Sequence, residues 1–170
     1  MTGSFRSLLI VLLVAGVVLV ADQLSKQWVL SIIPLHGALA LVPALGSYFR
    51  IVHTTNTGIA FGLFRGGSLI FIAVSSIAVV AIAIYAYMQK NASGWMLLAL
   101  GLMLGGATGN LIDRLRYSGQ VVDFLQFRLF GQLYFPTFNI ADSSIVCGVL
   151  LLVWLLYRQE RHSAALIGNI

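Results

Sequence analysis

Carboxylates are scarce in this chain: Asp and Glu number five in 170 residues, against ten Lys and Arg and a 59% share of hydrophobic residues. Charged residues make up only 9%, where a soluble domain carries about 25%, so an ordinary soluble fold is excluded and an integral membrane protein is implied. The lone Cys147 cannot form an intrachain disulfide, and its apolar run marks it as a small packing residue. His36, His53 and His162 stand isolated, with no HExxH pattern and no second cysteine, so no metal site or haem ligation is expected. No Ser/His pair or phosphate loop stands out, and no cofactor is expected. Basic residues are scattered singly rather than in a run, which argues against nucleic acid as a partner despite the net charge of +5.

What the chain does have is four long apolar runs. At about 20 residues per helical crossing, they predict transmembrane helices over 7–26, 68–88, 95–113 and 139–157 in one domain, 1–170, with large loops over 27–67 and 114–138. Arg6 and the oily stretch after it resemble the start of a cleavable secretion signal. Asp22 and Lys26 continue that helix, however, and three more spans follow, so the segment reads as an anchor that stays. Gly101, Gly105 and Gly109 repeat the small-xxx-small spacing that lets helices approach closely in lipid, which puts the third span at the centre of the bundle. Trp28, Tyr85, Tyr87, Trp154 and Tyr157 suit the membrane interfaces. In the loops, 48–53 and 121–130 have the β-branched and aromatic content of short strands, the second followed by a Gly131-Gln132 turn. The fold class expected is therefore an all-α membrane protein of four helices with a small β-sheet on one membrane surface.

Parity then gathers the carboxylates. Spans one and three cross in the same direction and span four begins where they end, so Asp22, Asp113, Asp123 and Asp142 meet on one face, together with both long loops. A carboxylate at hydrocarbon depth costs about 2.5–3.5 kcal/mol even on lenient scales, and four of them need a function. Both termini fall on the opposite side. Charge does not orient the chain, because the termini and Lys90 supply four Lys or Arg and the carboxylate face supplies six.

The four are not equivalent. Asp22 and Lys26 are four apart on a helix and can pair, which favours an orienting role. Asp113 shares a face with Asn110 and Arg114 and has Arg116 three residues on. Asp123 and Asp142 have no Lys, Arg or His within four residues, so they are the candidates for tuned carboxyls. Brought close, they would share one proton, so that one activates water and the other protonates a leaving group. Alternatively Asp142, with Asn139 three residues before it, simply caps a helix. The segment Asn56-Thr57-Gly58-Ile59-Ala60-Phe61-Gly62 reads on its own as a tight turn.

Taken in order, five motifs resemble those of the lipoprotein signal peptidases, the type II signal peptidases of bacteria. They are Asp22-Gln23-Leu24-Ser25-Lys26; Asn56-Thr57-Gly58-Ile59-Ala60-Phe61; Gly105 through Arg114; Val121-Val122-Asp123-Phe124; and Phe138-Asn139-Ile140-Ala141-Asp142-Ser143. The resemblance runs from Asp22 to about Gly148. It implies a membrane aspartyl endopeptidase of the plasma membrane with Asp123 and Asp142 as catalytic dyad on the extracytoplasmic side and both termini cytoplasmic. It further implies a prolipoprotein substrate, cut just before a cysteine that carries a diacylglyceryl group. Asn56, Gly58, Asn110, Arg114 and Asn139 would line the site, and Asp22, Lys26 and Asp113 would support it. Membrane lipid is the expected surrounding, and a monomer the expected state.

Two other readings compete. A proton or ion translocator would use Asp22 and Asp113 as relay groups, but such groups belong at mid-depth, whereas here every aspartate is at a helix end and span two has no ionisable residue. A non-catalytic lipoprotein-binding subunit would use the aspartates only as caps and ion-pair partners.

Overall fold

A computed structural model describes residues 3–42, 44, 46, 48–56 and 67–167, the side chains of 67, 68 and 162–167 excepted. Within these, four helices are long and apolar enough to cross a membrane. They are α1 (Gly3–Ile32), α2 (Gly67–Met88), α3 (Gly94–Arg116) and α4 (Ile140–Ile167). Four strands, β1 (Ala38–Leu39), β2 (Phe49–Asn56), β3 (Val121–Phe130) and β4 (Leu133–Tyr134), pair antiparallel in the order β1-β2-β3-β4. Helices α1 and α4 run well beyond the apolar runs that announced them. Nothing between Gly3 and Ile32 breaks the first, and Pro34 follows its end, where a helix can no longer donate.

α1 buries a single stripe, Ser4, Ser7, Val11, Ala15, Val18, Asp22, Lys26 and Val29, at the three-and-four spacing of one helical face. Its other sides leave Leu9, Leu13, Val17 and Leu24 exposed, as lipid-facing residues should be. α3 lies between α1 and α4, and its glycines explain how it fits. A Cβ on Gly101 or Gly105 would sit 2.5 Å from the side chain of Val14 or 2.7 Å from the carbonyl oxygen of Ala15, and one on Gly106 would strike the carbonyl oxygen of Ala141. Helix backbones come this close in lipid only through small residues, because close packing, not water exclusion, holds them together. α2 is peripheral and, among its described side chains, buries only Ala86 fully, against α3 and α1.

The sheet closes one end of the bundle. Ile51 of β2 and Phe124 of β3 pack on Val29 and Ile33 at the end of α1, and the His53 ring meets the Ile33 carbonyl at 2.7 Å. The β2–β3 register shifts by one residue between Ile51 and Thr54, and such an extra residue re-aims the side chains after it. Beyond that shift Thr54 stands opposite Asp123 and Asn56 opposite Val121. Phe138, just before α4, continues the pairing onto Phe124 and Leu125. The first half of β3 therefore lies between the end of α3 and the start of α4, and its second half runs on to pair with β4.

Candidate active site

Four segments deliver the polar residues to one spot: the last turns of α1 and α3, the first turn of α4, and the start of β3. Asp22, Lys26, Asn110, Asp113, Asp123 and Asn139 are all buried, with Lys26 and Asp22 exposed by 1% and 0%. Asp142 joins them at the first turn of α4, and among the described residues Glu160 is the one remaining side-chain carboxylate, near the far end of α4.

The supporting group is built around Lys26. Its ammonium is 2.8 Å from Asp22 and 2.8 Å from Asp113, and donates to Asn110 Oδ1 at 3.3 Å. Three donors meet three acceptors, the condition for holding an ammonium away from water. Pairing of Asp22 with Lys26 follows their helical spacing. Asp113 was expected to take its cation from its own helix, but it takes Lys26 of α1 instead. Arg114 turns the other way, donating from Nη1 to Ser75 Oγ of α2 at 3.1 Å and to the Asn110 carbonyl at 3.4 Å, with Phe71 beneath its guanidinium. Its Nε is buried with no hydrogen-bond partner among the described residues.

Among the described residues, Asp123 and Asp142 are held by amides. Asp123 accepts from Asn139 Nδ2 at 2.8 Å on one oxygen and from Asn56 Nδ2 at 3.1 Å on the other. Asp142 accepts from Asn110 Nδ2 at 2.7 Å and from the Asn139 backbone N–H at 3.2 Å. Asn139 also donates to Asn110 Oδ1 at 3.2 Å and to the Val122 carbonyl at 3.3 Å, so one side chain joins β3, α3 and α4. Burial, then the negative charge of Asp142, pushes the Asp123 carboxyl up to about 6, against the opposing pull of Asn56, Asn139 and Lys26.

Of the residues expected at the site, Asp22, Lys26, Asn56, Asn110, Asp113, Asp123, Asn139 and Asp142 are joined in one hydrogen-bonded network, and Arg114 borders it. Gly58 lies outside the described residues. One member was not anticipated: Gln23 donates to Asp22 at 3.2 Å and Asp113 at 2.9 Å and accepts from Arg116 at 3.0 Å. Its place beside Asp22, within the first motif, was the available signal.

Fold and site together define a four-span membrane protein with a carboxylate and amide cluster where one end of the bundle meets a sheet. The chain belongs to the signal peptidase II family of membrane proteases, whose family model matches residues 14–158. It is 39% identical over 154 residues to the lipoprotein signal peptidase of Symbiobacterium thermophilum, covering 91% of this chain and 98% of that one. To that of Moorella thermoacetica it is 42% identical over 146 residues, covering 85% and 91%. Two solved bacterial membrane enzyme structures share its fold. One has a TM-score of 0.74 at 31% identity, covering 88% of each chain, and the other 0.75 at 32%, covering 86% of this chain and 91% of that one.

Proposed function

We propose that this protein is an aspartyl endopeptidase that removes the signal peptide from diacylglyceryl-modified prolipoproteins, cutting before the lipid-bearing cysteine, with Asp123 and Asp142 as its dyad. The observation that carries the reading is that these two carboxylates face one another's charge and, among the described residues, take amides as their hydrogen-bond partners. Ion-paired carboxylates would stay ionised, whereas amide-held neighbours can share a proton. Family membership supports the substrate class, since the relatives are lipoprotein signal peptidases.

In this mechanism ionised Asp142 takes a proton from water as its oxygen bonds to the scissile carbonyl carbon. Protonated Asp123 delivers its proton to the leaving nitrogen as the C–N bond breaks. The pair ends with the proton on Asp142, and exchange with solvent resets it. Asn56, Asn110 and Asn139 aim the carboxyls, and the guanidinium of Arg114 supplies donors at the edge of the site. A site at the end of the spans suits a substrate whose lipid stays in the bilayer. We place that end on the outer side of a bacterial plasma membrane, with both termini cytoplasmic and the protein a monomer.

The test is cleavage of a synthetic prolipoprotein peptide bearing a diacylglyceryl cysteine by purified Asp123→Asn and Asp142→Asn proteins. Loss of cleavage in both, with helical content retained, is expected. Full activity in both would sink the dyad.

A further inference from the structure

Gln23 and Lys26, one turn apart on α1, each reach both supporting carboxylates. Lys26 Nζ is 2.8 Å from Asp22 Oδ2 and 2.8 Å from Asp113 Oδ2, while Gln23 Nε2 donates to Asp22 Oδ2 at 3.2 Å and to Asp113 Oδ1 at 2.9 Å. Those carboxylates in turn hold one backbone amide each. Asp113 Oδ2 accepts from Val122 N at 3.1 Å, and Asp22 Oδ1 accepts from Ala141 N at 3.0 Å. Val122 and Ala141 immediately precede Asp123 and Asp142. A buried line of contacts thus runs from the backbone of one dyad residue through Asp113, Lys26 and Asp22 to the backbone of the other.

We propose that Lys26, with Gln23 as a second tie, is a positioning residue that sets the separation of Asp123 and Asp142, acting through Asp113 and Asp22 without touching substrate. The proposal rests on the dyad reading above. Its physical basis is charge. Without the ammonium, two buried carboxylates confront each other unpaired and push apart, and each carries an amide anchor of the dyad with it. A displacement of about 1 Å at reacting groups costs on the order of a hundredfold in rate. The same cation also bears on the dyad's proton. The charges facing Asp123 come from Asp142 on α4, Lys26 on α1 and Arg114 on α3, and Lys26 is among those holding its titration down. That charge effect follows loss of the cation in any case, so the kcat-against-KM split makes the distinction: a role confined to holding helices together would move stability and leave the kcat of folded protein alone.

The experiment compares full-length wild type with Lys26→Met, Lys26→Arg, Gln23→Met and Asp123→Asn on the diacylglyceryl peptide, measuring kcat and KM separately across pH. Lys26→Met should lose about a hundredfold in kcat with KM changed by less than about threefold, and the alkaline limb of its pH profile should move up. Lys26→Arg, which can still span two carboxylates, should recover part of the rate. Gln23→Met should lose about tenfold in kcat. A folded Lys26→Met with wild-type kcat and pH profile, or one whose loss lies wholly in KM, would overturn the proposal. Should Lys26→Met fail to fold, Gln23→Met decides, and wild-type kcat there overturns it. An active Asp123→Asn protein overturns the dyad itself, whereas an inactive one beside a fully active Lys26→Met overturns the positioning role alone.

Discussion

Asn139 and Asp142 cap each other. The backbone N–H of Asp142 donates to Asn139 Oδ1 at 2.9 Å, and the backbone N–H of Asn139 donates to Asp142 Oδ2 at 3.2 Å, a reciprocal box that satisfies two free donors at the start of α4. Capping and chemistry are therefore not alternatives for Asp142. One oxygen caps, and the other, which accepts from Asn110, is turned to the network that holds Asp123.

That division separates two substitutions at this position. Asn keeps an oxygen acceptor for the cap, so Asp142→Asn should change stability by less than about 0.5 kcal/mol, while Asp142→Ala should lose about 1 kcal/mol. Both should be inactive. Thermal unfolding in one detergent, paired with the cleavage assay, checks the contrast.

Asn139→Ala should be worse than a lost cap. It removes the acceptor for the Asp142 N–H and the donors to Asp123, Asn110 and the Val122 carbonyl together. We expect a loss of about 2 kcal/mol or more, since buried acceptors are left unpaired, and a fall in kcat of at least about tenfold. Wild-type kcat in this variant would show that the dyad is aimed by other groups.

The proton on Asp123 sets a pH limit. With its carboxyl pushed up to about 6 by burial and by Asp142, the singly protonated pair is lost as pH rises through that value. The kcat/KM of free enzyme should therefore fall on the alkaline side with loss of one proton. The sign for stability is the same: a carboxyl raised in the fold favours folding below its ordinary value near 3.8, and that contribution is lost as pH climbs to about 6. A pH profile whose alkaline limb does not begin near 6 would contradict this assignment.

Glycines of α3 should tolerate no side chain where α1 and α4 press on them. A Cβ on Gly109 would lie 2.6 Å from Asp22 Oδ2, whereas one on Gly16 of α1 meets nothing within 4 Å. Gly109→Ala should displace Asp22 and with it Ala141, lowering both melting temperature and activity. Gly16→Ala should be neutral or slightly stabilising, by up to about 1 kcal/mol, since Ala favours the helix. Equal effects of the two would refute the close-approach argument.

Much of this architecture was legible because bilayers impose a simple rule. Four oily runs predict four spans, and the glycine spacing predicts the central helix. Likewise β-branched and aromatic residues mark the strands, of which 121–130 matches β3 in both bounds and 48–53 falls short of β2 at Asn56. The pairing of Asp22 with Lys26 was readable since a helix fixes the distance between residues four apart. Arg114 shows where that logic stops. Local spacing offered it carboxylate partners, yet it bonds to Ser75 of another helix.

By itself, then, the sequence determined the class of protein, the number of spans and the gathering of four aspartates at one end. These follow from hydropathy and parity, which depend only on order along the chain. Tertiary structure decided the partnerships: that Lys26 serves Asp113 as well as Asp22, that Gln23 joins them, and that Asn139 reaches Asp123 on the sheet while capping α4. Each of those contacts spans separate elements, and its geometry is set by how closely the helices approach and by the one-residue shift in β2. The glycine spacing announces that α3 is closely approached but not which residues of α1 and α4 press on it, and the shift in β2 is written in no motif.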